Sequence, residues 1–228
     1  FLSFDWGESM TAARRTADPG AATEPASNLA AVLDAIPVTM AYVLPATIAA
    51  FVLALAFGYA AARNPRTVRT RFSATTMYGL FGLPNFFLAA ILFHTMQDVN
   101  PDWFPRGYEV GSGFTPTNLL WLLLPGFVLM THLTAGFYRY VRTESSERLK
   151  EPFVTLAVSK GATKRRIPRH ILRYAALPLS TLFVAELVGV LLVTVFVIEV
   201  VFEVPGVGQL AYQAITNREI ELVMIMTL

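Results

Sequence analysis

The residues that could do chemistry in this 228-residue chain are concentrated in one basic segment, Arg139 to Arg173. The segment carries ten Lys or Arg and three Glu, a net charge of +7, and it lies between two long apolar runs. Guanidinium and ammonium groups at this density bind carboxylates and phosphates through charge-assisted hydrogen bonds. The segment therefore predicts a surface that a partner holds, either an acidic protein or the anionic headgroups of a bilayer.

Within this segment, the residue order favours two short helices joined at Gly161. Apolar and charged residues alternate at near-helical spacing from Glu151 to Lys160, and glycine is a common residue just after a helix end. Thr163 is a suitable N-cap for a second helix, and Pro168 falls in its first turns, where proline is tolerated. The basic face of that second helix comprises Lys164, Arg165, Arg166, Arg169 and Arg173.

Two acidic positions also invite a functional interpretation. Glu186 lies midway along an apolar run, and acidic residues at this depth of a membrane usually face a bundle interior or a watery cavity. It either lines a translocation path and attracts a cationic group, or ties two helices together by a hydrogen bond. Glu199 precedes the turn residues Pro205, Gly206 and Gly208, which predict a connector, an outer gate or a docking loop.

Enzymatic residues are not predicted anywhere in the chain. The pattern G-x-x-x-x-G-K-[ST] that cradles nucleotide phosphates does not occur, and no Ser-His-Asp or paired-carboxylate arrangement follows from the spacing. The chain has no Cys, and His94, His132 and His170 lack metal-ligand spacing. We therefore predict no catalytic residue, no metal site and no cofactor bound by this chain.

Long uncharged stretches predict an all-α integral membrane protein. A spanning helix needs about 20 mainly apolar residues, and the predicted spans are residues 35–62, 72–97, 115–138 and 174–198, with the start of another at 222–228. Within the second span, Gly79 and Gly82 offer a small-residue surface for close helix packing.

The loop charges orient these spans, because Lys and Arg accumulate in cytoplasmic loops. The segments 63–71 and 139–173 carry net charges of +4 and +7, whereas 1–34, 98–113 and 199–221 carry −3, −2 and −3. We therefore predict that the two positive loops are cytoplasmic. Residues 1–34 are predicted to form an extracytoplasmic N-terminal segment, and residues 35–228 a transmembrane domain.

Two motifs resemble those of a known membrane protein family. Residues 156–163 read LAVSKGAT and are followed by Arg165-Arg166, His170, Arg173 and Leu177-Pro178; this order is similar to the cytoplasmic signature loop of ABC importer permeases of the dipeptide, oligopeptide and nickel branch. Residues 197–208 read VIEVVFEVPGVG and resemble that branch's segment of Glu, Phe and Pro-Gly-x-Gly. The resemblance extends over nearly the whole chain.

The resemblance implies a helix bundle of the type I importer permease kind. Because such permeases have six spans, it also implies that the first helix and most of the last are missing from this sequence. The implied coupling loop, 139–173, would seat in an ATPase through Ala157, Lys160, Gly161, Ala162, Arg165 and Arg166. Glu186 would lie on the path, and Glu199, Pro205, Gly206 and Gly208 in the outer gate or docking loop.

The implied partners are cytoplasmic ABC ATPase subunits that use ATP and Mg, a second homologous permease subunit, an extracytoplasmic solute-binding protein and membrane lipid, without nucleic acid. The implied location is the cell membrane, and the implied cargo is peptide or a similar small solute. Two alternatives remain open. An ion-gradient-driven secondary transporter would use Glu186 as its ion site, and a non-transporting scaffold or channel subunit would use the basic loop for binding.

Overall fold

The computed structural model describes residues 8–9, 26–99, 101–161 and 166–227. Its helices are α1 (Asn28–Arg63), α2 (Val68–Gly82), α3 (Asn85–Val99), α4 (Pro116–Arg148), α5 (Pro152–Ser159), α6 (Arg166–Gly189), α7 (Val195–Phe202), α8 (Val207–Thr216) and α9 (Ile220–Thr227). A π-helical segment, Val190–Thr194, joins α6 to α7. Strands β1 (Glu8–Ser9) and β2 (Ala26–Ser27) form a two-residue antiparallel pair. Beyond this pair the described secondary structure is helical, which confirms the predicted fold class.

Two helices of the described chain, α1 and α4, are long and apolar enough to cross a membrane on their own, at 36 and 33 residues. The helix pairs α2–α3 and α7–α8 also meet these criteria when each pair is taken together, although they bend by 94° and 80°. The described residues therefore hold two spanning helices, or up to four if each bent pair is one span.

The predicted span 72–97 is not one continuous helix. Helix α2 ends at Gly82, Leu83 adopts an extended conformation with ψ 124°, and α3 begins at Asn85. Pro84 explains the break, because its ring disfavours the helical conformation of the preceding residue and it has no amide hydrogen to donate. The α2–α3 bend of 94° is the result.

The coupling loop, residues 139–173, also differs from its prediction. Helix α4 continues to Arg148, so the first residues of the loop extend a membrane helix. The first predicted short helix is α5, but the second is the beginning of α6, which runs without interruption from Arg166 to Gly189. Pro168 lies in the first turn of α6, where its missing amide hydrogen would have no partner in any case.

The chain divides into two compact units, and several helices contribute residues to both. One unit comprises the described residues up to Pro45 together with Asn85–Val128 and those from Leu191 onward. Its core contains an aromatic cluster in which the buried Trp121 packs edge-on against Phe93 and Phe202. The indole Nε1 of Trp121 donates a hydrogen bond of 3.3 Å to the carbonyl of Phe202, so the cluster anchors the end of α7.

The other unit comprises Ala46–Pro84 and Leu129–Val190. In it α1 and α4 approach closely at Gly58, where a Cβ added to the glycine would lie 2.8 Å from the Cβ of Val141. Gly79 and Gly82 have no other atom within 4 Å of such a Cβ in the described chain. Gly58, rather than the predicted pair, is therefore the glycine that close helix packing requires in this unit.

We expect Gly58→Ala to lower the thermal stability of the detergent-solubilised protein, because Val141 and the backbone nitrogen of Arg142 must move to admit a methyl group. Overpacking of this kind costs about 1–3 kcal/mol. The matched control is Gly79→Ala, which fills open space and improves helix propensity by up to about 1 kcal/mol. A Gly58→Ala variant that melts no lower than Gly79→Ala would contradict the packing argument.

Candidate functional site

The carboxylate of Glu199 is wholly buried and accepts four hydrogen bonds. Its Oε1 accepts from the Thr39 hydroxyl at 2.7 Å and from the Tyr42 hydroxyl at 3.0 Å. Its Oε2 accepts from the backbone amides of Gly208 at 2.6 Å and Gln209 at 3.2 Å. Burying an unpaired carboxylate is costly, so this set of donors is what makes the position tolerable. We call this arrangement the Glu199 clamp.

The clamp forms because α8 begins without a capping side chain of its own. The first amides of a helix have no partner within the helix, and they carry the positive end of the helix dipole. The N-cap residue of α8 is Gly206, which has no side chain to accept from these amides. The carboxylate of Glu199, from the preceding helix, replaces the missing cap.

The turn between α7 and α8 brings Glu199 to that position. Glu203 ends α7 in the left-handed conformation, with φ 53°, and its amide donates to the carbonyl of Glu199. The amide of Val204 donates to the same carbonyl at 3.0 Å. Pro205 and Gly206 then reverse the chain, so the backbone and the side chain of Glu199 both hold this turn.

Two glycines allow the close approach that the clamp needs. A Cβ at Gly206 would collide with the carboxylate of Glu199, and a Cβ at Gly208 would lie 2.6 Å from the Cα of Phe196. The φ of Gly206 is −95°, so its requirement is steric rather than conformational. The close contact between α7 and α8 therefore explains why Gly206 and Gly208 are glycines.

Helix α1 is tied to the same turn through Thr39 and Tyr42. These residues are three positions apart and therefore lie on one face of the helix. Thr39 donates to Glu199 and also accepts a 2.9 Å hydrogen bond from the amide of Val207. The clamp consequently joins α1, α7 and α8 within one compact unit.

The structure brings together Glu199, Gly206 and Gly208, three of the four residues predicted for the outer gate or docking loop, and places the half-buried Pro205 in the same turn. Because the Glu199 carboxylate is buried, it positions the turn and offers no accessible charge to an external partner. In this structure the four hydrogen bonds of the carboxylate hold the turn between α7 and α8 against α1.

Within the segment predicted to be the coupling loop, α5 is a short helix with one exposed face. In α5, Val154 is buried, whereas Leu156 is 55% exposed and Lys160 is exposed. Ala157 is half-buried, and the exposed Gly161 follows in the left-handed conformation with φ 79°. Ala162 and Arg165 lie outside the described residues, and Arg166 is the first residue of α6.

Glu186 lies on α6, is half-buried and is within electrostatic range of His132 on α4. The ring of His132 stacks on Phe81 at 6.3 Å between centroids. The described residues contain no group of three or more His, Asp or Glu that could hold a metal. The site predicted at Glu186 thus has one potential ionic neighbour, and its role in a path stays a prediction.

Sequence reasoning missed Thr39 and Tyr42 as partners of Glu199, and it missed Asn118. The buried Asn118 side chain accepts from the amide of Glu109 at 2.9 Å and donates to the carbonyls of Glu109 and Gly113. It therefore holds the loop before α4. The sequence signal that could have identified these three residues is a side chain able to form hydrogen bonds in or next to an apolar run.

Comparisons with known proteins agree with these motifs. The family model described as "Binding-protein-dependent transport system inner membrane component" matches residues 54–228. The chain is 32% identical over 198 residues to the Oligopeptide transport system permease protein AppB of Bacillus subtilis, covering 84% of this chain and 61% of that protein. It is 31% identical over 185 residues to the Oligopeptide transport system permease protein OppB of Salmonella typhimurium, covering 79% and 58%. The chain thus spans about three fifths of the length of these relatives.

We expect Glu199→Ala to lower thermal stability well below that of wild type, because it leaves four donors, most of them buried, without their acceptor. Each such group costs about 1–3 kcal/mol. The matched control is Glu203→Gln, which alters an exposed carboxylate four residues along the same helix end. Amide exchange at Gly208 and Gln209 should accelerate in Glu199→Ala only. Equal behaviour of the two variants would show that the clamp is not holding α8.

Proposed function

Because the chain belongs to the family of binding-protein-dependent transport system inner membrane components, we propose that it is the membrane-spanning permease subunit of an ATP-driven importer. It is a multi-pass protein of the cell membrane. We propose that the cargo is an oligopeptide, because two relatives are named as oligopeptide transport system permease proteins. Two motifs, LAVSKGAT and VIEVVFEVPGVG, support the same assignment.

The partners in this proposal are cytoplasmic ATPase subunits, a second permease subunit and an external solute-binding protein. ATP and Mg are used by the ATPase subunits, so this chain is not itself an enzyme. The basic loop, residues 139–173, has a net charge of +7, which would attract an acidic surface on an ATPase. The exposed Leu156 on α5 supplies an apolar anchor of the kind that dominates binding energy when it is buried.

The single observation that carries the coupling proposal is the continuity of α6. Its 24 residues run from Arg166, in the coupling loop, to Gly189. At 1.5 Å per residue, this is about 36 Å of helix, of which Pro178–Gly189 is the apolar part. A displacement of the loop by a closing ATPase is therefore passed along helical structure instead of a flexible linker, and Pro178 is the position inside α6 where a backbone hydrogen bond is missing.

Gly161 has a defined role in this mechanism. Its left-handed conformation, φ 79°, is one that only glycine adopts at little cost. It sets the direction in which the chain leaves α5, and hence the angle at which the α5 surface meets the ATPase. The Lys160 ammonium beside it is exposed and available to pair with a carboxylate of the partner.

Leu156→Glu and Gly161→Pro should each reduce ATPase co-purification and ATP-driven peptide uptake by at least about tenfold, because they disrupt the docking face and its turn. The charge reversal Arg165→Glu/Arg166→Glu should do the same. The matched control is Val110→Glu, which makes the same kind of substitution at an exposed valine in the segment 98–113. The assay uses the full-length permease reconstituted with its ATPase and partner permease subunits.

Two outcomes would contradict this proposal. Uptake that persists without ATP or any ATPase would identify a gradient-driven carrier. A loss of co-purification in Val110→Glu equal to that in Leu156→Glu would mean that the substitutions act through general destabilisation instead of docking.

We further propose that Glu186 lies on the path and attracts the cationic amino group of a peptide. Glu186→Gln should then raise the KM for uptake of a basic peptide several-fold, while an N-acetylated acidic peptide is transported with an unchanged KM. The charge difference between the two substrates isolates the electrostatic contribution from packing. Equal transport of both peptides by wild type and variant would assign Glu186 a purely structural role.

A further inference from the structure

A groove of about 410 Å³ lies between the end of α1 and the first half of α2, inside a single compact unit. This volume is within the range of about 300–1,000 Å³ typical of ligand pockets. Its apolar wall comprises Phe57, Ala60, Ala61, Phe72 and Met77. The groove is open along one side, and Phe72 is 74% exposed. Its shape and lining therefore suit a long apolar chain that enters laterally.

One end of the groove is polar and cationic. Arg69 contributes to the lining together with Thr67 and Thr70. The Thr67 side chain caps α2, and the Thr70 hydroxyl donates 2.8 Å to the carbonyl of Asn64. These hydroxyls are engaged within the turn, whereas the Arg69 guanidinium is exposed. Arg69 is thus the charged residue at this end with donors available for a ligand, beside the exposed side-chain amide of Asn64.

The charged residues of the sequence around this end of the groove are all positive. Arg63, Arg66, Arg69 and Arg71 lie within nine residues, and there is no Asp or Glu from residue 35 to residue 97. In the described ranges, no carboxylate forms an ion pair with any of these four arginines. An anion at the mouth of the groove would meet only attractive neighbours on α1 and α2.

We propose that this groove binds an anionic phospholipid, with an acyl chain against Phe57, Ala60 and Met77 and the headgroup phosphate on Arg69. An apolar trough that ends in a guanidinium matches the chemistry of such a lipid, since arginine binds phosphate in a bidentate manner. Anionic lipids concentrate in the cytoplasmic leaflet, and each nearby Lys or Arg adds about 1 kcal/mol to their attraction. The occupant would brace the short connection between α1 and α2.

The charge of the site can be tested with a matched pair of arginine variants. The full-length protein is exchanged into detergent micelles that carry phosphatidylglycerol, and native mass spectrometry measures the lipid retained. Arg69→Gln should retain at least about fivefold less phosphatidylglycerol than wild type. Arg71→Gln removes the same charge two residues away but outside the groove, and should behave as wild type. An equal loss in both variants would show diffuse surface charge and overturn the site.

The apolar wall of the groove can be tested with a second matched pair of variants. Ala60→Trp fills the groove without changing charge and should reduce phosphatidylglycerol retention as much as Arg69→Gln does. Ala56→Trp adds the same ring one helical turn earlier, at an exposed position that does not line the groove, and should leave retention unchanged. Undiminished retention in Ala60→Trp would overturn the placement of the acyl chain.

A single introduced cysteine distinguishes lipid from a protein occupant, because these 228 residues contain no Cys and any Cys elsewhere in the full-length protein is replaced by Ser. Met77→Cys should be protected from maleimide by phosphatidylglycerol and not by phosphatidylcholine. Equal protection by both lipids would overturn the recognition of the headgroup. Crosslinking of Met77→Cys to another protein chain in native membranes would instead assign the groove to a subunit contact. None of these measurements depends on uptake, so their outcome is independent of the proposed transport function.

Discussion

The structure depends on one constraint, which is that a carboxylate buried among apolar helices must have all its hydrogen bonds made within the protein. Glu199 satisfies this constraint with two hydroxyls of α1 and two amides of α8. These hydrogen bonds restrict the geometry of both helices. Thr39 and Tyr42 must lie on the same face of α1, and the first backbone amides of α8 must point at the Glu199 side chain of α7. Gly206 and Gly208 follow from the same restriction, since any side chain there would occupy the space of the carboxylate or of the α7 backbone. Hence a short polar network determines the arrangement of three helices in one unit.

Hydrophobicity and charge patterns can predict most of the fold, because membrane insertion acts on composition. The long apolar stretches of α1 and α4 are predicted on this basis. The 94° bend between α2 and α3 is not, although Pro84 permits a kink, because apolar composition carries no information about the angle at which two helices meet. The helical extension of α4 to Arg148 is missed for a related reason: charged residues end an apolar run without ending a helix.

The residues of the candidate site are predictable from the sequence, whereas the hydrogen-bond partners of Glu199 are not. Glu199, Gly206 and Gly208 stand out by motif, and the prediction for them is a connector, an outer gate or a docking loop. Their burial against α1 does not follow from the sequence, because Thr39 lies 160 residues from Glu199 and no periodicity connects the two. Gly161 is more accessible to prediction, since a glycine after a helical pattern commonly adopts the left-handed conformation, and it does so here. Local rules therefore work where the geometry is local and fail where it is set by tertiary contact.

The two motifs that carry the family assignment are connected by one continuous helical stretch of the chain. From Arg166, α6 leads through the π-helical segment Val190–Thr194 into α7, which bears Glu199. A π-helical turn has wider i→i+5 hydrogen bonding and is a recognised place for a helix to bend or rotate. Pro178 inside α6 and the π-helical segment that follows it both interrupt the regular backbone hydrogen bonding, so this stretch has two positions at which the helix can bend. Both positions lie between the LAVSKGAT motif and Glu199, so the irregular backbone of this stretch is confined to the residues that connect the two motifs.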